Sequence, residues 1–371
     1  MVLTSSSTVT SILRAITASD TSSVARGPMM WTPRISSYFF SATIFTKPSV
    51  SFAMFVAPYC GGSVTSSSAI LCSCLAASGA SGFVGRHVVR ELARGGVRVR
   101  AMVRTARGAA VLQGVDCELV RGDVTDLASL RAAARGMRTI VHLVAIIEGS
   151  PATFERVMAA GTGNLVEAAR ESGVRRIVLM SALGTGPGAT VPYFRAKWAA
   201  EQAVASSGVD HALLRPSFVF GTDGGALPRF ARIARLFPLT PVIGPGTQRV
   251  QPIWIDDLVR AVTLAVDAEG TGGPIELGGP EAVTWSELWR RLKAALGTRR
   301  PAIHVPFWLA RGPAALFEHI PPALVTRDQL RMLEGPDNVV TDGGASMRSL
   351  GLGDLVSLDD QLRRAATAQQ H

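Results

Sequence analysis

The sequence predicts an α/β fold, a doubly wound parallel sheet with a small C-terminal α/β cap. Three observations lead there. From about residue 69, short unbroken apolar runs alternate with amphipathic helical patterns. Strands apolar on both faces belong in a parallel sheet covered by helices on either side. The helical stretches finish mostly at glycine, as helix C-termini do. Finally, a glycine cluster, SGASGFVGR at 78–86, stands where the first strand would turn into the first helix.

The first elements of the chain do not fit this pattern. Among residues 1–75, 26 are Ser or Thr, Asp20 is the sole acid before Glu91, and Cys60, Cys72 and Cys74 are three of the four cysteines. Residues 1–68 read as a low-complexity extension, either disordered or a targeting segment. A transit peptide would place the protein in the mitochondrial matrix. An unstructured or mis-assigned extension on a bacterial-type protein would leave it cytoplasmic, and the 35 arginines against three lysines lean slightly that way. Cys117 alone lies well inside the body, so disulfides do not hold this fold and a reducing compartment follows.

The expected strands are AILCSCLAA (69–77), VRVRAMV (97–103), CELVRG (117–122), TIVHLVAI (139–146), RIVLMSA (176–182) and HALLRPS (211–217). Between them FVGRHVVRELARGG, TDLASLRAAARG, TFERVMAAGTGNLVEAARESG and YFRAKWAAEQAVASSG carry apolar residues three and four apart, the helical spacing. The first strand is the weakest, because CSCLAA is poor in β-branched residues. After residue 217 the pattern loosens into Gly- and Pro-rich connections with helices near 227–236, 256–267, 285–296 and 323–334. The division expected is 69–217 for the sheet domain, 218–355 for a cap interleaved with it, and 356–371 for a tail.

The glycines carry the first chemistry. Gly79, Gly82 and Gly85 follow a strand and open a helix, where a tight turn must let backbone approach a pyrophosphate. Free N–H groups of that helix start would face the phosphates, with Ser81, Phe83 and Val84 completing the loop of a Rossmann-type site. Past the second strand an acid would select the ribose 2′-hydroxyl of NAD. Arg104 stands there instead, with Arg107 close by. A guanidinium suits a 2′-phosphate, so NADP(H) is preferred and NAD(H) is also admitted. Asp123 and Val124 are placed to line an adenine, and Leu143, Val144 and Ala145 to pass under the ribose and nicotinamide.

Tyr193 is the only tyrosine in the last 312 residues, and it precedes Lys197, one of three lysines, by one helical turn. Ser181 stands 12 residues before it, at a strand's carboxyl end. With the glycine turn, these residues resemble the short-chain dehydrogenase/reductase superfamily, over residues 69 to about 355. The branch that is similar is the extended, NAD(P)-dependent epimerase/dehydratase-like one, through LLRPSFVFG, QPIWIDDLVRAV and ELGGPEAVTWSEL. VHLVAII, AAGTGNLVEAARESGVRRIVLMSALG and YFRAKWAAEQAV are most similar to the group around the nucleotide-binding accessory subunit of mitochondrial complex I and its bacterial relatives.

The resemblance implies a catalytic set of Ser181, Tyr193 and Lys197. Lys197 would lower the phenol's pKa from about 10 and grip the nicotinamide ribose. Ser181 would hold the substrate oxygen, and Pro216 and Ser217 would bring backbone to the carboxamide. One position departs from the pattern: Met158 stands where many members place an asparagine of a proton relay.

The remaining polar residues point to no metal: His87, His142 and His211 form no spaced set and are expected to pack. Asp256 and Asp257 are expected to cap the helix that follows them. Phe218, Phe220, Leu227, Phe230, Phe237 and Trp254 are expected to wall an apolar pocket. The resulting reading is an oxidoreductase moving hydride to a hydrophobic carbonyl or quinone-like substrate. A second reading is an NADPH-holding structural or assembly component of a respiratory complex. An epimerase or dehydratase of nucleotide sugars ranks below both, for want of polar anchors. The net charge of +10 is dispersed and comes with no nucleic-acid signature, so nucleic acid is not an expected partner. HVPFWLARGPAALFEHIPPALV (304–325) is an aromatic, amphipathic stretch suited to a membrane surface, a partner or cap core.

Overall fold

A computed structural model describes residues 74–270, 273–311 and 327–368, all within one compact unit. The expectations for residues 1–68 and for most of 304–325 fall outside these residues. In chain order come β1 (Cys74–Ser78), α1 (Phe83–Arg94), β2 (Arg98–Val103), α2 (Ala106–Ala110), β3 (Glu118–Arg121) and α3 (Leu127–Ala134). They are followed by β4 (Thr139–His142), α4 (Pro151–Phe154), α5 (Gly161–Glu171), β5 (Arg176–Met180), α6 (Pro192–Ala205) and β6 (Asp210–Pro216). The second half holds β7 (Val219–Phe220), α7 (Leu227–Leu236), β8 (Thr240–Ile243), β9 (Arg249–Val250), β10 (Ile253–Trp254) and α8 (Ile255–Asp267). Then come β11 (Pro274–Leu277), β12 (Val283–Thr284), α9 (Trp285–Ala295), β13 (Ala302–Val305) and helices at Arg327–Glu334, Ala345–Ser349 and Leu358–Ala368.

The main sheet has seven parallel strands in the order β11-β6-β5-β4-β1-β2-β3. This is the Rossmann-type arrangement. Its strand order reverses between β1 and β4, where open α/β sheets keep their ligand crevice. Alternate residues of each strand feed two cores. Leu75, Ala77, Val141 and Val178 face Val88, Val89 and Leu92 of α1 and Leu258 and Val262 of α8. Ala76, Ile140, Ile177 and Leu213 face Leu130 of α3, Leu165 of α5 and Val204 of α6. β1 forms despite its poor β propensity, because β2 and β4 pair with it on both sides and its small residues are buried.

Three expectations need correcting. The residues of β11 were not foreseen as a strand, yet they pair with β6 and extend the sheet to seven. Asp256 and Asp257 do not cap α8: Trp254 occupies the cap position with no side-chain cap bond. Buried Asp257 instead accepts the Val356 N–H at 2.9 Å, and Asp256 accepts the Trp254 indole N–H at 3.0 Å. Of the six residues expected to wall a pocket, Phe220, Leu227 and Trp254 are core residues. Phe218 and Phe230 stack edge-on against Trp285, and Phe237 is exposed. Their apolar surface is consumed by packing the second half together.

Two glycines show opposite demands. A Cβ on Gly85 would stand 2.1 Å from the Gly79 carbonyl oxygen, whereas one on Gly163, inside α5, would meet nothing within 4 Å. Gly85→Ala is therefore expected to destabilise the fold by about 3 kcal/mol. Gly163→Ala should stabilise it by about 0.5–1 kcal/mol. Urea denaturation of both variants checks the opposite signs.

Candidate functional site

The glycine turn is built by contact. Gly79 takes a φ of +74°, and a Cβ there would lie 2.9 Å from the Leu143 carbonyl carbon at the end of β4. The Gly82 N–H donates to the Gly79 carbonyl at 3.0 Å, folding the turn onto the start of α1. That helix has neither a side-chain cap nor an acid in its first turn. Its first N–H groups and positive dipole end thus remain available to an anion. Phe83 lies under a second glycine cluster, since added Cβ atoms at Gly221, Gly224 and Gly225 would come within 2.7, 2.3 and 2.9 Å of its ring. Asp223 in that cluster accepts from Arg86 Nε at 3.2 Å and lies 3.1 Å from His87 Nε2. Val84 is half-buried against the first core.

The next candidates line the crevice outward. A Cβ on Gly108 would be 2.9 Å from Ser81 Oγ, so α2 lies against the glycine turn. Arg104 is exposed and stands 4.0 Å from Asp123. Asp123 is engaged elsewhere: it accepts the Thr125 N–H at 2.9 Å and the Thr125 hydroxyl at 2.8 Å. These bonds hold its carboxyl below the usual range, with Arg104 and Arg156 adding to the effect. Val124 is buried, and Asn164 Nδ2 donates to its carbonyl at 3.1 Å. Leu143 is buried, Val144 half-buried and Ala145 exposed.

Lys197 joins the ends of two strands. Its side chain is 2% exposed, and Nζ donates to the Met180 carbonyl at 2.7 Å and the Val144 carbonyl at 3.5 Å. Burial pushes its pKa down to about 8, opposed by the negative charge of Glu201 one turn along. Glu201 is itself buried and receives Arg215 through two bonds of 2.9 and 2.6 Å. The Tyr193 ring meets Phe154 and Phe194 edge-on at 6.1 and 5.3 Å.

The expected acidification of Tyr193 is not met. Burial raises the phenol to about 12. The ammonium that was to lower it is turned to the Met180 and Val144 carbonyls.

Ser181 is buried and its hydroxyl lies 3.4 Å from that of Thr185. Buried Ser217 donates to Asn338, at 2.5 Å to Oδ1 and 3.1 Å to the carbonyl, while its N–H donates to Leu277. Pro216, also buried, closes β6 and pairs with Leu277 of β11.

One polar chain under the crevice escaped the sequence reading. Ser78 Oγ lies 2.6 Å from His142 Nδ1, His142 Nε2 lies 2.9 Å from Thr162 Oγ1, and Thr162 donates to the Met158 carbonyl at 2.5 Å. The threonine's only proton goes to Met158, so Nε2 must carry the imidazole proton and Nδ1 accepts from Ser78. Met158 itself is buried in a π-helical stretch, Glu155–Ala160, between α4 and α5. Thr185 and Asn338 had no signal in the sequence. Glu201 had one, its four-residue spacing from Lys197.

A family model described as NAD(P)H-binding matches residues 79–231. An Arabidopsis thaliana protein named NADH dehydrogenase [ubiquinone] 1 alpha subcomplex subunit 9, mitochondrial, is 27% identical, over 74% of this chain and 72% of its own. Ceramide reductase of Caulobacter vibrioides is 29% identical, over 62% of this chain and 73% of its own. Sterol demethylase protein B of Methylococcus capsulatus is 30% identical, over 64% and 79% respectively. The solved UDP-glucose 4-epimerase of Thermotoga maritima shares the fold, with a TM-score of 0.63 at 19% identity, over 80% of this chain and 98% of that one.

The buried imidazole predicts an acid limb in stability. Burial, and then the Lys197 charge, lower His142 from 6.5 to about 3, so the folded state refuses a proton that the unfolded chain accepts. Stability is full above about pH 6.5 and falls by up to about 1.4 kcal/mol per unit as pH drops towards 3. Denaturation midpoints measured between those limits should fall with pH, and His142→Gln should flatten that limb.

Proposed function

The chain belongs to the NAD(P)H-binding family of the extended short-chain dehydrogenase/reductase superfamily, and we propose that it is an NADPH-dependent reductase of a hydrophobic carbonyl. The observation that carries this reading is Lys197, buried between the ends of β4 and β5 beside the glycine turn and one helical turn from Tyr193. The cradle fits a dinucleotide: Gly79 and Gly85 leave room only for backbone, and the start of α1 offers uncapped N–H groups. The exposed Arg104 guanidinium favours the 2′-phosphate of NADP(H).

When bound, NADPH supplies a hydride to the carbonyl carbon. The chain's own part is to hold the oxygen and deliver a proton. A phenol at about 12 keeps its proton at neutral pH, so Tyr193 is set as the acid for a nascent alkoxide, which is far more basic. Ser181 orients the substrate oxygen. Lys197, held by the Met180 and Val144 carbonyls, would hold the nicotinamide ribose. Relatives named for ceramide and for sterol support a lipid-class carbonyl, and the Arabidopsis relative's name keeps a quinone among the candidates.

A second reading is a component that holds NADPH for a respiratory assembly without turnover. It is favoured by the name of that same relative, a subunit of NADH dehydrogenase. A nucleotide-sugar epimerase stays below both.

Two measurements separate these readings. The purified protein should oxidise NADPH with apolar ketones, aldehydes or quinones, and Tyr193→Phe should lower kcat by about a hundredfold or more with NADPH affinity unchanged. Tight NADPH binding with no turnover over the whole panel would hand the argument to the second reading. Arg104→Ser should weaken NADPH by roughly tenfold and leave NADH nearly unaffected, as titration of nucleotide fluorescence would report.

A further inference from the structure

The positive charge, expected to be dispersed, is instead placed unevenly along the chain. Residues 224–255 and 288–311 hold ten of the 38 Lys and Arg residues and none of the 28 Asp and Glu residues. The rest of the chain is balanced, so these two segments carry the whole excess of +10. They meet in one ribbon, where β8 and β13 pair in parallel with Ile303 opposite Pro241 and Val305 opposite Ile243. The Thr240 N–H donates to the Pro301 carbonyl at 2.9 Å and the Gly244 N–H to the Val305 carbonyl at 2.8 Å, closing both ends.

The ribbon is also where apolar side chains face water. Leu236, Phe237 and Leu239 lead into β8, Ile303 lies on β13, and Trp308 and Leu309 follow it in a helical turn; their exposures run from 37% to 72%. These six are two-thirds of the nine large hydrophobic residues exposed among the described residues. Such a concentration calls for a cover. Among the described residues β13 pairs only with β8, and its residues 302–304 are exposed.

Charge decides what the cover is. Arg249, Arg290, Arg291 and Arg311 are matched by carboxylates from outside the two segments. Arg300 is spent on the Phe237 carbonyl at 2.7 Å, and Lys293 on the Arg300 carbonyl at 3.2 Å. Arg232 and Arg299 are exposed and have no carboxylate partner among the described residues. We propose that the β8–β13 ribbon docks the protein on an anionic lipid surface, its Trp, Leu and Phe side chains entering the headgroup boundary and its arginines meeting lipid phosphates. A nucleic acid would find phosphate contacts there but no use for isolated leucines. A bilayer surface uses both. The contact is peripheral, since no helix among the described residues is long and apolar enough to span a membrane. It stands independently of the hydride-transfer reading, and it would bring the chain to where lipid-class carbonyls reside.

The test is sedimentation of the full chain with vesicles of phosphatidylcholine alone, or of phosphatidylcholine mixed with phosphatidylglycerol, at low and high salt. The protein should partition at least about tenfold better onto the anionic vesicles, and salt should weaken it. The double variants Leu236→Ser with Trp308→Ser, and Arg232→Gln with Arg299→Gln, should each lose about tenfold, because each removes one of the two contributions. Leu119→Ser, which removes an exposed leucine of β3 far along the sheet, should change nothing. NADPH affinity measured on every variant confirms folding. Equal binding to both vesicle types, binding to neither, or double variants that bind like the parent chain would each overturn the proposal. A sedimenting complex with nucleic acid or an acidic protein, but not with vesicles, would do the same.

Discussion

The closeness of α1 to the turn that precedes it governs most of what this fold can do. Gly85 leaves no space for a single methyl group against the Gly79 carbonyl, and Gly79 none against the end of β4. The helix start is thereby pinned at the point where the sheet reverses its strand order, between β1 and β4. Uncapped N–H groups and two strand ends converge on one crevice. Any bulk at these positions would move the helix out and separate the groups that must act together.

The second constraint is electrical. A lysine ammonium inside a protein is costly unless neighbouring oxygens replace its water. Lys197 finds the Met180 and Val144 carbonyls, and Glu201 behind it gives a long-range counter-charge. Glu201 could not remain buried alone, and Arg215 from β6 secures it through two bonds. One cation at the crevice is thus backed by a chain of charges across two secondary-structure elements. The phenol answers to burial instead. Its ring is packed among Phe154 and Phe194, and the loss of water there raises the cost of ionising it.

Much of this was legible in the sequence because it rests on local regularity. Six strands of the main sheet and α7, at 227–236, follow from apolar runs and periodicity, and the glycine turn from its spacing. Tyr193 and Lys197 stood out because residues of their types are rare in this chain. What escaped depends on partners distant in sequence. β11 is a four-residue segment whose strand identity comes only from the edge of β6. Asp257 looked like a helix cap, but an N–H from Val356, 99 residues later, claimed it. Phe220, Leu227 and Trp254 looked like pocket walls because an apolar side chain carries no mark that distinguishes a cavity from a core. The protonation pattern of His142 needed three neighbours from three elements before it could be assigned.

Asn338 carries a consequence of a different kind. It reaches back 121 residues to grip Ser217 at the carboxyl end of β6, and its N–H and carbonyl bond with Arg249 and Gln251 on the way. During synthesis the ribosome delivers the sheet, the glycine turn and the tyrosine helix well before this asparagine emerges. The grip on Ser217 and the Leu183 carbonyl therefore forms only once residue 338 has been made. A nascent chain can hold all seven strands of its main sheet and still lack this clamp at the carboxyl end of β6.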